Sequence, residues 1–178
     1  KKRDYLSLYQ PENGKEYTLS QESETESLIS TKTYTSDSLP LSMEIPSDWT
    51  YVIMSGHDTF IDAASASSLQ IQILDYDPEV NNDDEDCLKE ELYSKDCSLY
   101  SFTPISSSCY FLIYQKSTLD GVIDYFDYVT WDRQHIVKIE AVLNDKNYDR
   151  MYPSIEYMLR SLSWEKEEMI SEDIRIFY

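Results

Sequence analysis

Glycine, histidine and cysteine are all scarce in this 178-residue sequence, and each scarcity excludes a class of site. The three glycines, Gly14, Gly56 and Gly121, lie far apart. Loops that cradle phosphates and motifs that bind dinucleotides need several closely spaced glycines, because the backbone must approach the phosphate closely. A nucleotide site of either kind is therefore excluded.

The three cysteines, Cys87, Cys97 and Cys109, and the two histidines do not have the spacing of zinc ligands. Cys87 and Cys97 could close a small disulfide loop in an oxidising compartment. On one continuous helix, however, they would be about 15 Å apart, which is too far for a disulfide. We therefore expect three free thiols, with Cys109 buried in a strand.

A catalytic site would need a positioned nucleophile, and the sequence has no G-x-S-x-G motif. Two enzyme hypotheses are left. One is a hydrolase-type pair of Cys109 and His135, which requires neighbouring strands to align the two side chains. The other is a pair of buried acids that face each other in a pocket. Because a strand cysteine more often packs in a core, we expect a protein without enzymatic activity.

Basic residues are few, with 15 lysines and arginines against 34 acids and a net charge of −19. Such a surface repels phosphate backbones and anionic lipids, so we expect no nucleic-acid binding and no direct electrostatic binding to membranes. It favours cationic partners. No apolar run approaches the 18 or so residues of a membrane span, so membrane attachment is expected only through an N-terminal anchor missing from this sequence.

The sequence begins in a polar stretch without an initiator methionine. We interpret residues 1–31 as a polar N-terminal segment or tether that followed a signal peptide or a lipoprotein leader. Residues 32–178 are predicted to form a single domain, which is long enough to bury a sizeable core.

Several stretches place apolar residues at every second position, which is typical of half-buried strands. Residues 41–45, 69–73 and 137–143 show this period. From Cys109 to Leu143 the pattern predicts three antiparallel strands, the first two joined by a hairpin turn at Asp120–Gly121.

Two segments have helical spacing. Residues 83–96 place two leucines on one face and acids in the first turn, where the helix dipole favours them. Residues 148–162 form an apolar stripe, with Pro153 expected in the first turn of the regular helix. Antiparallel strands with two helices that each bury one face predict an α+β fold, with the strands packed under the terminal helix.

An acidic loop precedes the first helix, and its carboxylates and amides are the oxygen ligands that calcium prefers. The loop lacks the glycine and the closing glutamate of an EF-hand, and Pro78 stiffens it. A solvated surface loop is the favoured interpretation. A calcium-dependent module that uses residues 75–84 is the alternative, and no other cofactor is expected. The candidate ligands are Asp75, Asp77, Asn81, Asp83 and Asp84.

Aromatic residues are the remaining feature, with 16 tyrosines in the sequence. Five aromatic residues on the adjoining strands after Cys109 could present a surface to a protein, a peptide or a glycan. The alternative is that they only cover the sheet. These candidate binding residues are Tyr110, Tyr114, Tyr125, Tyr128 and Trp131.

Several segments resemble the PsbP-like superfamily. The sequence LPLSMEIPSDW at residues 39–49 resembles its opening strand, and IEYMLRSLSW at residues 155–164 resembles its closing helix. The strands SLQIQIL and HIVKIEAVL lie between them in the order that this superfamily has. The resemblance covers about residues 33–164.

The PsbP-like superfamily includes photosystem II extrinsic proteins, a nuclear Ran-binding factor and many bacterial secreted or lipid-anchored proteins. The resemblance implies an antiparallel sheet between helices, an α/β/α sandwich, with no activity common to its members. It also implies an extracytoplasmic, bacterial location, at the cell envelope or secreted. We therefore expect an accessory or binding protein whose partner the sequence does not identify.

Overall fold

The computed structural model describes residues 30–78 and 85–166, which contain ten strands and two α-helices. One predicted feature, the tether at residues 1–31, lies almost wholly outside the described residues. Thr31 already belongs to the first strand. The elements are β1 (Thr31–Thr35), β2 (Leu41–Pro46), β3 (Thr50–Met54), β4 (His57–Asp62), β5 (Ser67–Asp75), α1 (Glu85–Ser94), β6 (Cys97–Ser106), β7 (Cys109–Thr118), β8 (Gly121–Trp131), β9 (His135–Asn144), a 3-10 turn (Asp145–Asn147), α2 (Tyr148–Arg160) and β10 (Ser163–Trp164).

The strands form two antiparallel sheets. The large sheet has seven strands in the order β3-β4-β5-β9-β8-β7-β6, and the small sheet has the order β1-β2-β10. The three-stranded arrangement predicted for residues 109–143 is confirmed as β7, β8 and β9, which pair as consecutive neighbours. The predicted α+β fold is confirmed.

The main core lies between one face of the large sheet and a layer made by the small sheet and α2. The two-residue period works as predicted, since Leu41, Met43 and Ile45 of β2 and alternate residues of β9 are buried there. The apolar stripe of α2 packs on the same core. The fully buried residues of β9 and α2 are Val137, Ile139, Ala141, Leu143, Ile155 and Met158.

The opposite face of the large sheet carries α1 and a smaller apolar cluster. Leu92 is the buried residue of this helix, and it packs over β7 and β8. Helices therefore lie on both sides of the large sheet, as the α/β/α expectation required. The part of this face that belongs to β4 and β5 is polar, with Gln70 donating to Thr59 Oγ1 and Gln72 donating to Gln70 Oε1.

Two local expectations are wrong in detail. Helix α2 begins at Tyr148 and not at Pro153, which lies inside it on the exposed side. Because Asp149 is also exposed, solvent can reach the carbonyl that this proline leaves without an amide partner. The turn between β7 and β8 is one residue earlier than expected, with Gly121 already paired to Thr118 and held at a φ of +127°. This left-handed region explains the glycine.

Strands β4 and β6 were not predicted. In β6 the alternation is interrupted by bulges between Leu99 and Ser101 and between Pro104 and Ser106. Within the described part of the chain, neither helix is long and apolar enough to cross a lipid bilayer.

The core assignment predicts that Leu159→Ala reduces the free energy of unfolding by about 3 kcal/mol, because it leaves a cavity beneath α2. Trp49→Ala should have a similar effect, since Trp49 is buried in the same core. Leu119→Ala is the matched control, because Leu119 is fully exposed in the β7–β8 turn. Urea melts of the three variants test this, and a Leu159→Ala effect no larger than that of the control would contradict it.

Candidate functional site

The structure separates the five aromatic residues predicted to form one surface. Tyr110, Tyr114, Tyr125 and Trp131 pack in the cluster beside α1. Tyr128 packs against the main core on the other face of the sheet, so a single five-residue surface is wrong. Residue parity is the reason, because Tyr125 and Tyr128 are an odd number of positions apart on one strand.

The four aromatic residues on the α1 side form one stacked pair and one edge-on pair, and they are partly covered. Tyr114 and Tyr125 lie parallel with centroids 4.7 Å apart, and Tyr110 meets Trp131 edge-on at 6.1 Å. Tyr110 and Tyr114 are buried, whereas Tyr125 and Trp131 are half-buried. Their role in binding stays a prediction.

A crevice of about 150 Å³ lies between α1 and the large sheet. Asp127 sits at its floor directly opposite Glu140 on the neighbouring strand. Lys138 bridges the two, with Nζ 3.2 Å from Asp127 Oδ2 and 3.7 Å from Glu140 Oε2. The hydroxyl of Tyr114 donates to Glu140 Oε2 at 2.8 Å. The two acids face each other, but only Asp127 is buried, so the arrangement meets the second enzyme hypothesis, a pair of buried acids, only in part.

One ammonium group lies between two carboxylates here, an arrangement that favours the protonated form of the more buried acid. Burial, with the nearby Glu140 carboxylate, raises the pKa of Asp127 to about 8 although Lys138 opposes the shift. Oδ1 of Asp127 is buried and meets no hydrogen-bond partner in the described structure. Burial lowers the pKa of Lys138, but the two acids outweigh burial and raise it overall.

The lysine and the tyrosine hydroxyl already engage both acids, so the network stabilises its own buried charges. Asp127 is almost inaccessible to solvent. The crevice is therefore best described as a structural charge network.

The structure does not bring together Cys109 and His135, the pair of the first enzyme hypothesis, and it does not join Cys87 to Cys97. Cys109 on β7 lies opposite Thr130 on β8, and Thr130 in turn lies opposite Val137 on β9, not opposite His135. The thiol of Cys109 is therefore separated from β9 by two strand spacings of about 5 Å each. His135 Nδ1 instead lies 3.8 Å from Asp132. No disulfide joins the cysteines, and Cys109 is buried as predicted. Burial raises the pKa of its thiol, which opposes thiolate chemistry.

The calcium hypothesis stays a prediction. Asp75 ends β5 and Asp77 follows it, both exposed, while Asn81, Asp83 and Asp84 lie outside the described residues. In the described ranges, no group of three or more histidine, cysteine or acidic side chains is placed to hold a metal ion.

A second concavity, a groove of about 270 Å³, lies where the edges of the two sheets meet. Tyr34 comes from β1 of the small sheet, whereas Tyr51, Asp58 and Phe60 come from β3 and β4 of the large sheet. The ring of Phe60 contacts Tyr34 at 5.3 Å and Tyr51 at 5.5 Å between centroids, with interplanar angles of 77° and 50°. The three rings thus line the groove in different orientations. We call this the edge groove.

The edge groove holds a carboxylate. Asp58 accepts hydrogen bonds from both phenols, one from Tyr34 and one of 2.7 Å from Tyr51. Burial and this hydrogen bond raise the pKa of Tyr34, and the hydrogen bond to Asp58 raises that of Tyr51, so both phenols stay neutral. Lys32 is the basic residue among the described groove residues, and its Nζ donates to the carbonyl of Trp49 at 2.8 Å.

No local pattern in the sequence indicates the edge groove. Tyr34 and Asp58 are 24 residues apart and belong to different sheets. Pairing of β3 with β4 brings Tyr51 opposite Phe60, and β4 was not predicted as a strand. A hairpin turn predicted at Ser55–Gly56 would have indicated that β3 and β4 pair, and so would have placed Tyr51 opposite Phe60.

The fold matches solved structures at low sequence identity. Cyanobacterial PsbP (CyanoP) from Synechocystis sp. PCC 6803 superposes with a TM-score of 0.60 and 15% identity, over 78% of this chain and 94% of that one. A mutant of the protein Mog1 gives a TM-score of 0.54 and 7% identity, over 76% of this chain and 96% of that one. LpqN of Mycobacterium tuberculosis gives 0.49 and 9%, over 75% and 90%. No protein-family model matches the sequence, and no curated protein matches it significantly.

The chain has the PsbP-like fold. The predicted resemblance is thereby confirmed at the level of architecture. At these identities the match establishes the fold alone, so the function of the chain depends on its own sites.

The raised pKa of Asp127 predicts a specific pH dependence. Between about pH 4 and pH 8 the folded chain holds a proton that the unfolded chain releases, so this residue's contribution to stability falls as pH rises. Asp127→Asn, which resembles the protonated acid, removes that loss. Relative to this variant, the wild type should lose about 1 to 4 kcal/mol of unfolding free energy from pH 5 to pH 8.

Urea melts at four pH values between 5 and 8 measure the difference. Asp120→Asn is the control, because Asp120 is an exposed acid in the β7–β8 turn and its variant should keep the wild-type slope. If the wild type and Asp127→Asn gave parallel curves, Asp127 would not hold the proton.

Proposed function

We propose that this chain is a non-enzymatic accessory protein that binds an extended, basic segment of a partner polypeptide along β3. The observation that carries the proposal is the exposed apolar edge of the large sheet. Three large side chains of this five-residue strand are exposed, Tyr51 to 48%, Ile53 to 66% and Met54 to 48%. Exposed apolar groups concentrated in one place mark interaction surfaces.

The two edges of the large sheet differ in a way that supports this proposal. Natural proteins protect a sheet edge with proline, bulges or a covering element. Strand β6 has all three, since it contains Pro104 and two bulges and packs against α1. Strand β3 has neither proline nor bulge, and no strand of the described chain pairs with its outer side.

The β3–β4 hairpin indicates which backbone groups point outward. Its two-residue turn has positive φ at both central positions, 53° at Ser55 and 80° at Gly56, as in a type I′ turn. The residues that flank such a turn form a hydrogen-bonded pair, and the pairs alternate from there along the strand. Tyr51 and Ile53 therefore direct their N–H and C=O groups away from β4, where an added strand can pair with them.

Charge favours a basic partner. The whole chain carries a net charge of −19, and Asp37 and Asp58 line the edge groove beside β3. An acidic surface attracts cationic partners over long range and increases their association rate. The sequence-based expectation of a protein or peptide partner fits this surface, while a glycan partner has no comparable support.

Location at the bacterial cell envelope or outside the cell is part of the proposal. Its support is the PsbP-like fold, since bacterial members of that superfamily include secreted and lipid-anchored proteins. The absence of an activity common to the superfamily agrees with a binding role. Cell fractionation of the natural bacterium, with an antibody against this chain, tests the location.

Strand addition predicts that binding depends on ladder hydrogen bonds. The probe is a capped octapeptide of alternating lysine and valine. Its counterpart is N-methylated at alternate residues, so it keeps the charge and the side chains and cannot donate the ladder bonds. We expect the unmodified peptide to bind the full chain at least about tenfold more tightly, measured by isothermal titration calorimetry.

Ile53→Pro is the sharpest variant, because it removes an outward N–H and no hydrogen bond to β4. It should abolish the preference for the unmodified peptide and lower the melting temperature by no more than about 4 °C. Val52→Pro is the matched control, since it removes an inward N–H and should destabilise the fold more. Equal binding of the two octapeptides by the wild type would show attraction to the acidic surface alone and would refute strand addition.

A further inference from the structure

We propose that the edge groove is a site for an organic ammonium group, supplied by a lysine side chain of the segment that binds along β3. This inference deepens the proposed function and depends on it for the source of the lysine. The argument uses the three aromatic rings, the carboxylate between them and the position of the groove beside the exposed edge.

The aromatic rings give the groove its first attraction for a cation. The faces of tyrosine and phenylalanine are negative, and an ammonium group within about 6 Å of a ring centroid is attracted to them. The rings of Tyr34 and Tyr51 lie at 77° and 50° to the ring of Phe60, so different faces and edges line one small volume. A cation in the groove would contact more than one ring.

Asp58 supplies the second attraction. Both of its oxygens accept a phenolic hydrogen bond, so the carboxylate is fixed between two of the rings. These bonds also hold the tyrosine rings in place, which reduces the entropy that a ligand must remove on binding. Asp37 adds a second acid at the mouth of the groove.

No lysine or arginine of the described residues forms an ion pair with Asp58. Lys32 lines the groove, but its ammonium donates to the carbonyls of Trp49 and Ser47, at 2.8 and 3.4 Å. Asp58 forms no ion pair in the described structure, in contrast to Asp127, which has Lys138. The groove thus combines an aromatic lining with an acid that forms no ion pair with a lysine or arginine of the described residues.

The groove is placed to receive a side chain from a strand added to β3. Tyr51 and Ile53 lie opposite Phe60 and Asp58 in the ladder, so these four side chains share the groove side of the sheet. Alternate side chains of an added strand point to that same side. A lysine at such a position reaches the groove, whereas its neighbours point to the opposite face.

The test uses Nα-acetyl-lysine methylamide, which keeps a free side-chain ammonium group, and its neutral counterpart Nα-acetyl-norleucine methylamide. Each is titrated into the full chain and followed by NMR chemical shifts. We expect the lysine compound to bind at least about fivefold more tightly, with shifts at the groove residues. Choline is included as a third probe. Equal binding of the norleucine compound, or binding of choline without the lysine compound, would refute a lysine site.

Substitutions at Asp58 and at Tyr51 distinguish the contribution of the carboxylate charge to binding from that of the aromatic rings. Asp58→Asn should weaken lysine binding at least fivefold, and the distant exposed control Asp120→Asn should not change it. Tyr51→Leu should also weaken binding, whereas Tyr51→Phe keeps the ring and should retain most of it. Because the Tyr51 pair differs in ring content at an exposed position, it remains informative even if Asp58→Asn perturbs the fold. If Asp58→Asn had no more effect than Asp120→Asn, the groove would not be the site.

Failure of this inference and failure of the proposed function give different results. Lysine binding in the groove with equal affinity for both octapeptides would support the cation site and refute strand addition. A preference for the unmodified octapeptide that Tyr51→Leu does not weaken would support strand addition and refute the cation site.

Discussion

The register of β9 is the constraint on which the rest of the structure depends. This strand lies between β5 and β8, and its alternate residues form the floor of the main core. The intervening Lys138 and Glu140 face α1 and form the charged network with Asp127. A slip of one residue would exchange the two sets and bury a lysine and a glutamate under α2, at a cost that no partner there could offset.

Sequence reasoning succeeded where a strand buries one face and fails where local features interrupt the period. Strands β2, β5 and β9 each alternate apolar and polar residues over at least five positions, and each was predicted. In β4 the buried residues include Thr59 and Asp62, of which Asp62 accepts hydrogen bonds from the turn residue Ser65. A strand that buries polar groups for such reasons does not show an apolar period, although its neighbours determine that it forms.

The two polar sites were beyond local sequence reasoning for a different reason. The crevice joins Tyr114, Asp127 and Glu140 from three strands, and the edge groove joins two sheets. Each residue alone is an ordinary strand residue. Only the pairing of strands shows that Asp127 faces another acid or that two tyrosines converge on Asp58. Parity along one strand is simpler, and it would have separated Tyr128 from Tyr125 and Trp131, but the predicted five-residue surface did not apply it.

In the proposed function, the net negative charge of the chain and the exposed edge at β3 contribute to partner binding in different ways. A net charge of −19 concentrates cations around the whole molecule, but a field that extends over the surface does not select a position. Position requires short-range groups with direction, and the β3 edge provides them as outward backbone groups beside a lined groove. Asp127 is the counterexample, because its charge is balanced internally and lies too deep to attract a partner. Under the proposed function, Asp58 contributes to recognition because it lines an open groove and forms no ion pair among the described residues.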